Sequence, residues 1–226
     1  MSLGLNYKNG KHIFDEVEKE TPYLSYPLFG KTGLVRHGFS TRMGGVSKGY
    51  FASLNLSFDR GDDKEAVMEN FRRIGKSLGV RCEDMVLSKQ THTTNVRIVT
   101  EADRGKGIIK ERDYTDVDGL VTNIPGICLV TSYVDCVPLY FVDPVRRVIG
   151  LSHSGWRGTV GKIGKKTIQL MQEKFASDPA DILAAVGPSV CMDCYEVSFD
   201  VIDRFKESFD EKYWEELFYE KPDGKY

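Results

Sequence analysis

Between Asp62 and Val80 the apolar positions Val67, Phe71, Ile74 and Leu78 recur at three- and four-residue spacing, the period that gathers side chains on one face of an α-helix. Asp62 and Glu65 open this stretch in the spacing of a capping box, and Gly79 follows it, where left-handed backbone commonly ends a helix. A second helix is predicted from about Thr159 to Ala176, with Ile163, Thr167, Leu170 and Met171 facing inward. A third starts at Ser198 as cap, with Val201, Ile202 and Phe205 on its apolar face. Shorter runs rich in β-branched and aromatic residues predict strands over 35–41, 85–89, 95–100, 119–122, 127–133, 136–142, 147–152 and 182–186. Strands interleaved with helices predict an α/β or α+β fold in which mixed β-sheets are covered by helices.

No internal repeat, low-complexity tract or long Pro/Gly/Ser linker divides the chain, so residues 1–226 are expected to form one domain. The tail LFYEKPDGKY predicts a strand and a Pro-Asp-Gly turn whose returning strand stops as it begins, which we read as a chain cut short at its C-terminus.

Composition narrows the function classes. With 41% hydrophobic and 28% charged residues the chain has the balance of a globular protein, and a net charge of −2 gives no general attraction to nucleic acid. The opening MSLGLNYKNGKHIF lacks the basic-then-apolar pattern of a secretion signal, and no apolar run reaches membrane length, so a cytoplasmic protein without membrane contact is expected. Five cysteines, an odd number, make a disulfide framework a poor reading, and each thiol is instead core filler, ligand or nucleophile.

The segment YVDCVPLYFVDPVRRVIGLSHSGWRGT reads as two apolar strands joined by a β-turn with Pro144 at its second position. If Pro144 and Val145 form the loop, Cys136 lies directly opposite His153, with Cβ atoms about 4.5–5.5 Å apart, close enough to share a metal ion or to form a thiolate–imidazolium pair. A one-residue change in that loop would separate them. His153 precedes Ser154-Gly155-Trp156-Arg157-Gly158 and a predicted helix, a placement that can aim backbone N–H groups and the Arg157 guanidinium at a phosphate or carboxylate. Among four histidines, His92 in SKQTHTTN has polar neighbours and is the natural third ligand, His37 reads as core or supporting, and His12 as structural or exposed. Cys191 and Cys194 form a CxxC, a redox pair or half a zinc site, without a second pair or a thioredoxin-like context. Arg42 with Gly44 and Gly45 suggests an anion-binding loop but lacks the Lys-Ser/Thr ending of a P-loop.

Taken together, HGFSTRMGGVSKGYFASLNLSF, LSKQTHTTNV, DVDGLVTN, TSYVDCVPLYFVD, GLSHSGWRGTVGKI and AAVGPSVCMDCYEVSFDV resemble the successive signature blocks of the YfiH/YlmD family over about residues 35–205. Its members have been called polyphenol oxidases or laccase-like and were later assigned as purine nucleoside phosphorylases with adenosine deaminase activity. The resemblance implies a zinc or copper ion on His92, Cys136 and His153, and an α/β fold of mixed sheets related to cysteine-hydrolase-like toxin domains. It also implies that the family continues past Tyr226 with a further helix and a closing segment.

The activity so implied is phosphorolysis of adenosine, inosine, guanosine and methylthioadenosine, together with deamination of adenosine. Arg42, Asn55, Gln90, Trp156 and Arg157 are candidates for holding nucleoside and phosphate, and Asp135, Asp118 and Arg157 for catalysis. The partners expected are the small nucleoside and phosphate, with a homodimer left open. One rival is a copper oxidase, since two His and a Cys match the equatorial set of a blue-copper site, although no Met adjoins them in sequence and a multicopper enzyme needs many more than four histidines. Others are a cysteine hydrolase or amidase using Cys136 and His153, and a non-catalytic metal-stabilised module.

Overall fold

The computed structural model describes residues 12–222 and 224–226. Its strands are β1 (Asp15–Val17), β2 (Tyr23–Ser25), β3 (Phe39–Ser40), β4 (Met85–Leu87), β5 (Val96–Ile98), β6 (Gly119–Thr122), β7 (Cys128–Val130), β8 (Val137–Asp143), β9 (Val148–Ser154) and β10 (Leu183–Val186). Its helices are α1 (Pro27–Gly30), α2 (Lys64–Leu78), α3 (Trp156–Val160), α4 (Ile163–Phe175), α5 (Phe199–Ser208) and α6 (Trp214–Leu217).

The main sheet has the order β10-β8-β9-β6-β5, antiparallel except for the parallel pair β5 and β6. A three-stranded antiparallel sheet, β1-β2-β3, and a parallel pair, β4 and β7, complete a mixed α/β architecture. Strand β6, between β9 and β5, is buried along its whole length, as its sequence GLVT suits. Helix α4 lies on the main sheet: Met171 packs with Val121, Phe141 and Val148, and the Thr167 hydroxyl meets that of Ser152 at 2.7 Å. Gly150 allows that approach, since a Cβ there would stand 3.2 Å from Thr167 Cγ2. Helix α2 buries Val67 and Phe71 against Met85 and Leu87 of the β4-β7 pair.

Several predicted boundaries shift for identifiable reasons. The N-cap of α2 is Asp63, whose carboxylate accepts from the Glu65 N–H, while Asp62 accepts from Ser47 Oγ and Asn55 Nδ2. The helix predicted from Thr159 is two helices, broken at Lys162, which stands at φ 58. Only Phe39–Ser40 of the strand predicted over 35–41 pairs, because His37 Nε2 instead accepts the Tyr26 N–H at 2.7 Å. Helix α6 ends at Leu217, the first residue of the tail, and residues 218–220 after it form no strand; the centre of the expected Pro-Asp-Gly turn, Asp223, lies outside the described residues. So does most of the opening stretch inspected for a secretion signal. Among the described residues no helix is long and apolar enough to cross a membrane.

The hairpin register also differs. Asp143 Oδ1 accepts from the N–H groups of Val145 and Arg146, and Arg147 at φ 55 completes a four-residue connection. Val137 then pairs with Ser154 and Pro138 with His153, two positions from the expected register. A slip of two keeps every side chain on its own face of the sheet, so Cys136 and His153 still converge.

Candidate metal centre

Three segments meet at one end of the main sheet. His153 lies on β9, buried, with its N–H donating to the Asp118 carbonyl at 2.7 Å. Cys136 immediately precedes β8, next to Asp135 in left-handed backbone at φ 69. His92 sits in the loop between β4 and β5, itself at φ 66, a conformation that costs a branched or bulky residue energy unless its surroundings hold it.

What holds it is Asp118. Its fully buried carboxylate accepts from the backbone N–H groups of Thr91, His92 and Thr93 at 3.0–3.1 Å and from Thr93 Oγ1, and it bonds His153 Nδ1 at 2.8 Å. Burial alone would raise its pKa, but the His153 hydrogen bond and those from Thr91 and Thr93 bring it down to about 2. The carboxylate therefore stays charged at neutral pH and occupies Nδ1 of His153, leaving Nε2 as that ring's free nitrogen.

Ligand atoms of His92, Cys136 and His153 lie within 4.8 Å of one another, with Cys136 Sγ 4.0 Å from His92 Nε2. The two imidazoles meet edge to face at 5.0 Å between centroids. A tetrahedral zinc ion bonded at about 2.0–2.3 Å sets its donors about 3.3–3.6 Å apart, so the Cys136–His92 pair would close by about 0.5 Å and a pair near the 4.8 Å limit by somewhat more than 1 Å. The donor set suits zinc or copper, and the carboxylate behind a ligating histidine is a usual support for such a site. Gly155 supplies the remaining room: a Cβ there would stand 2.9 Å from His92 Cδ2 and 3.2 Å from Cys136 Sγ. Burial raises the pKa of the Cys136 thiol, and the carboxylates of Asp135 and Asp118 add to the effect. The Tyr133 ring, 5.7 Å from that of His153, forms one wall, its hydroxyl bonded to Thr131 Oγ1 and Ser152 O.

The three residues face a cleft of about 1520 Å³ that Arg42, Asn55 and Gln90 also line. These expected binding residues all have partners within the chain. Arg42 Nε and Nη2 donate to Ala52 O, Asn55 clips Ser57 and Asp62, and Gln90 bonds Ser132 in both directions. Trp156 and Arg157 open α3 behind Gly155 and do not line the cleft; the Arg157 guanidinium lies 4.3 Å from the Trp156 ring centroid. Asp135 is exposed. Asp118, expected to exchange protons with substrate, is sealed behind the histidines and orients them instead.

Sequence reasoning passed over Gly155, Tyr133, and the cleft residues Lys89 and Arg112, which share Asp59 as partner. A glycine directly after the S-H-S of β9 was the one available signal, although a glycine at the N-cap of α3 would read the same way. His12 is exposed beside Asp15, and His37 packs on Tyr26 and Phe29.

A family model described as multi-copper polyphenol oxidoreductase laccase matches residues 36–226. Purine nucleoside phosphorylase YlmD of Geobacillus stearothermophilus is 40% identical over 173 residues, 75% of this chain and 62% of that one. Adenosine deaminase RL5, from an unknown prokaryotic organism, is 37% identical over 172 residues, 75% of this chain and 65% of that one. The crystal structure of hypothetical protein YfiH from Bacillus licheniformis superposes with a TM-score of 0.86 at 31% identity, covering 94% of this chain and 78% of that one. The chain spans about three fifths of the length of the curated relatives it matches.

Proposed function

We propose, because the chain belongs to the YfiH/YlmD family, described as multi-copper polyphenol oxidoreductase laccase, that it is a metal-dependent purine nucleoside phosphorylase with adenosine deaminase activity. The observation that carries this reading is one His, Cys, His cluster, braced by a buried carboxylate, on a cleft large enough for a nucleoside.

Zinc is the metal we assign to this donor set; His92, Cys136 and His153 would hold it, and it would supply a Lewis acid beside the cleft. The chain's own groups do the rest. Asp118 bonds Nδ1 of His153 and leaves its Nε2 for the cluster, while Nε2 of His92 lies 4.0 Å from Cys136 Sγ. In phosphorolysis a phosphate oxygen bonds to the anomeric carbon as the bond to the purine nitrogen breaks, and the departing base takes the electron pair. Arg42, Asn55 and Gln90 line the cleft and are the groups we assign to phosphate and nucleoside, whereas Arg157 and Trp156, outside that lining, would act only on a phosphate bound near the start of α3. For deamination, the group we assign to carry a proton to the leaving ammonia is Asp135, exposed beside Cys136 and outside the cleft lining. A multicopper oxidase is disfavoured by donor count, since the chain has four histidines and two lie outside the cluster. Five unpaired cysteines agree with a cytoplasmic protein.

One observation supports a second reading. Cys136, His153 and Asp118 have the order nucleophile, base and orienting carboxylate, which would suit a cysteine hydrolase akin to the toxin domains. Incubating metal-analysed protein with adenosine and inorganic phosphate separates the two. The first reading expects adenine and ribose 1-phosphate, dependent on phosphate, together with inosine. Absence of product from every purine nucleoside would overturn it, and a substrate-derived adduct on Cys136 would establish the second.

A further inference from the structure

The CxxC of the sequence lies in the segment following β10, where Cys191 and Cys194 are both exposed. The Cys194 N–H donates to the Cys191 carbonyl at 3.0 Å, closing a single 3-10 turn over Met192–Cys194. A turn closed from its first to its fourth residue holds those Cα atoms within about 7 Å. Disulfides span Cα separations of about 4.4–6.8 Å, so this backbone can accept one without unfolding.

The two thiols are hydrogen-bonded to each other. That bond lowers the pKa of Cys191 and raises that of Cys194, the asymmetry of an attacking and a resolving cysteine. The other cysteines are placed differently: Cys82 and Cys128 pack in the core under α2, and Cys136 belongs to the cluster. The segment also touches the centre. The Val190 N–H donates to the carbonyl of Asp135, the residue before Cys136, and Tyr195 senses the charges of Cys136 and Arg157.

We propose that Cys191 and Cys194 form a thiol–disulfide exchange site for low-molecular-weight disulfides at the mouth of the metal centre. The Cys191 thiolate attacks one sulfur of the small disulfide, breaking its S–S bond and releasing one thiol, with a mixed disulfide left on Cys191. Cys194 then loses its proton and attacks the Cys191 sulfur, closing the protein disulfide and releasing the second thiol. One dithiol and one small disulfide thus become one protein disulfide and two small thiols. The closed ring fixes the turn that carries Val190 and Tyr195.

The test treats the metal-loaded chain with glutathione disulfide, blocks remaining thiols, and maps cysteines by peptide mass spectrometry. The expected product is a peptide bridging Cys191 and Cys194, two hydrogens lighter and reversed by dithiothreitol. Cys194→Ser should trap glutathione on Cys191, and Cys191→Ser should slow reaction at Cys194 by at least about tenfold. Glutathione retained on the unaltered chain, an unchanged rate at Cys194 in Cys191→Ser, or modification confined to Cys136 would each overturn the proposal. Both substitutions are at exposed positions, and circular dichroism of each variant confirms that the fold is retained before rates are compared.

Discussion

Asp118 holds His153 at two points, its carbonyl accepting the backbone N–H at 2.7 Å and its carboxylate meeting Nδ1 at 2.8 Å. The same carboxylate gathers the N–H groups of residues 91–93, so one buried side chain fixes both histidines of the cluster. Replacing it by Asn brings an N–H₂ against groups that are all donors. Asp118→Asn should lower metal affinity by about 10–100-fold and cost roughly 1–3 kcal/mol of stability. Competition with a chromophoric chelator reads the first and urea unfolding the second. Unchanged affinity would mean that Asp118 is a structural brace only.

Gly155 has φ −71 and ψ 176, which any residue adopts, so its requirement is for space and not for backbone freedom. Gly155→Ala puts a methyl group 2.9 Å from His92 Cδ2 and must displace that ring. The variant should fold with a melting temperature near that of the parent and bind metal on the order of tenfold more weakly. An unfolded variant would place the role of Gly155 in the fold instead.

Both helix caps and the hairpin show how much was legible. The α2 pattern was clear because its apolar period is local, and Gly79 stands at φ 70 as expected of a helix end. The hairpin loop differs from its expected length because the Asp143 side chain, not the proline alone, sets it; His153 pairs with Pro138 and not with Cys136, and the two still share a face only because the shift is even. Strands β1 and β2, three residues each, carry too little alternation to announce themselves. Asp118 stands out in the sequence as a catalytic candidate, and what the fold adds is its hold on both histidines. Its partners are 25 and more residues away in sequence, and only the folded sheet shows that they enclose it.

Arg157 tests the phosphate assignment. Its guanidinium is held over Trp156 and does not reach the cleft lining as the chain stands, so its contribution depends on phosphate bound near the start of α3. Arg157→Ala should raise the KM for phosphate about tenfold, with a smaller effect on the KM for nucleoside, and Arg157→Lys should recover part of the loss. Equal effects on both constants would assign Arg157 to the stack on Trp156 alone.

Acid stability should depend on a carboxylate remote from the centre. Asp103 is 1% exposed and accepts from Arg97, Lys106 and both the N–H and hydroxyl of Thr100. Burial raises its pKa, but hydrogen bonds from Lys106, Thr100 and Arg97 outweigh that and hold it well below the usual carboxylate range. A depressed folded pKa stabilises the native state fully above the unfolded value of about 4 and progressively less as pH falls below it. Asp103→Asn removes the charge at every pH and leaves Arg97 and Lys106 facing a neutral amide, at about 2–3 kcal/mol near pH 7, less than for a sealed pair because both cations keep some solvent. Urea unfolding of parent and variant at pH 7 and pH 3 should therefore show a stability gap that narrows with acid, because the parent loses there what the variant already lacks. A gap independent of pH would assign the loss to packing and remove Asp103 from the acid response.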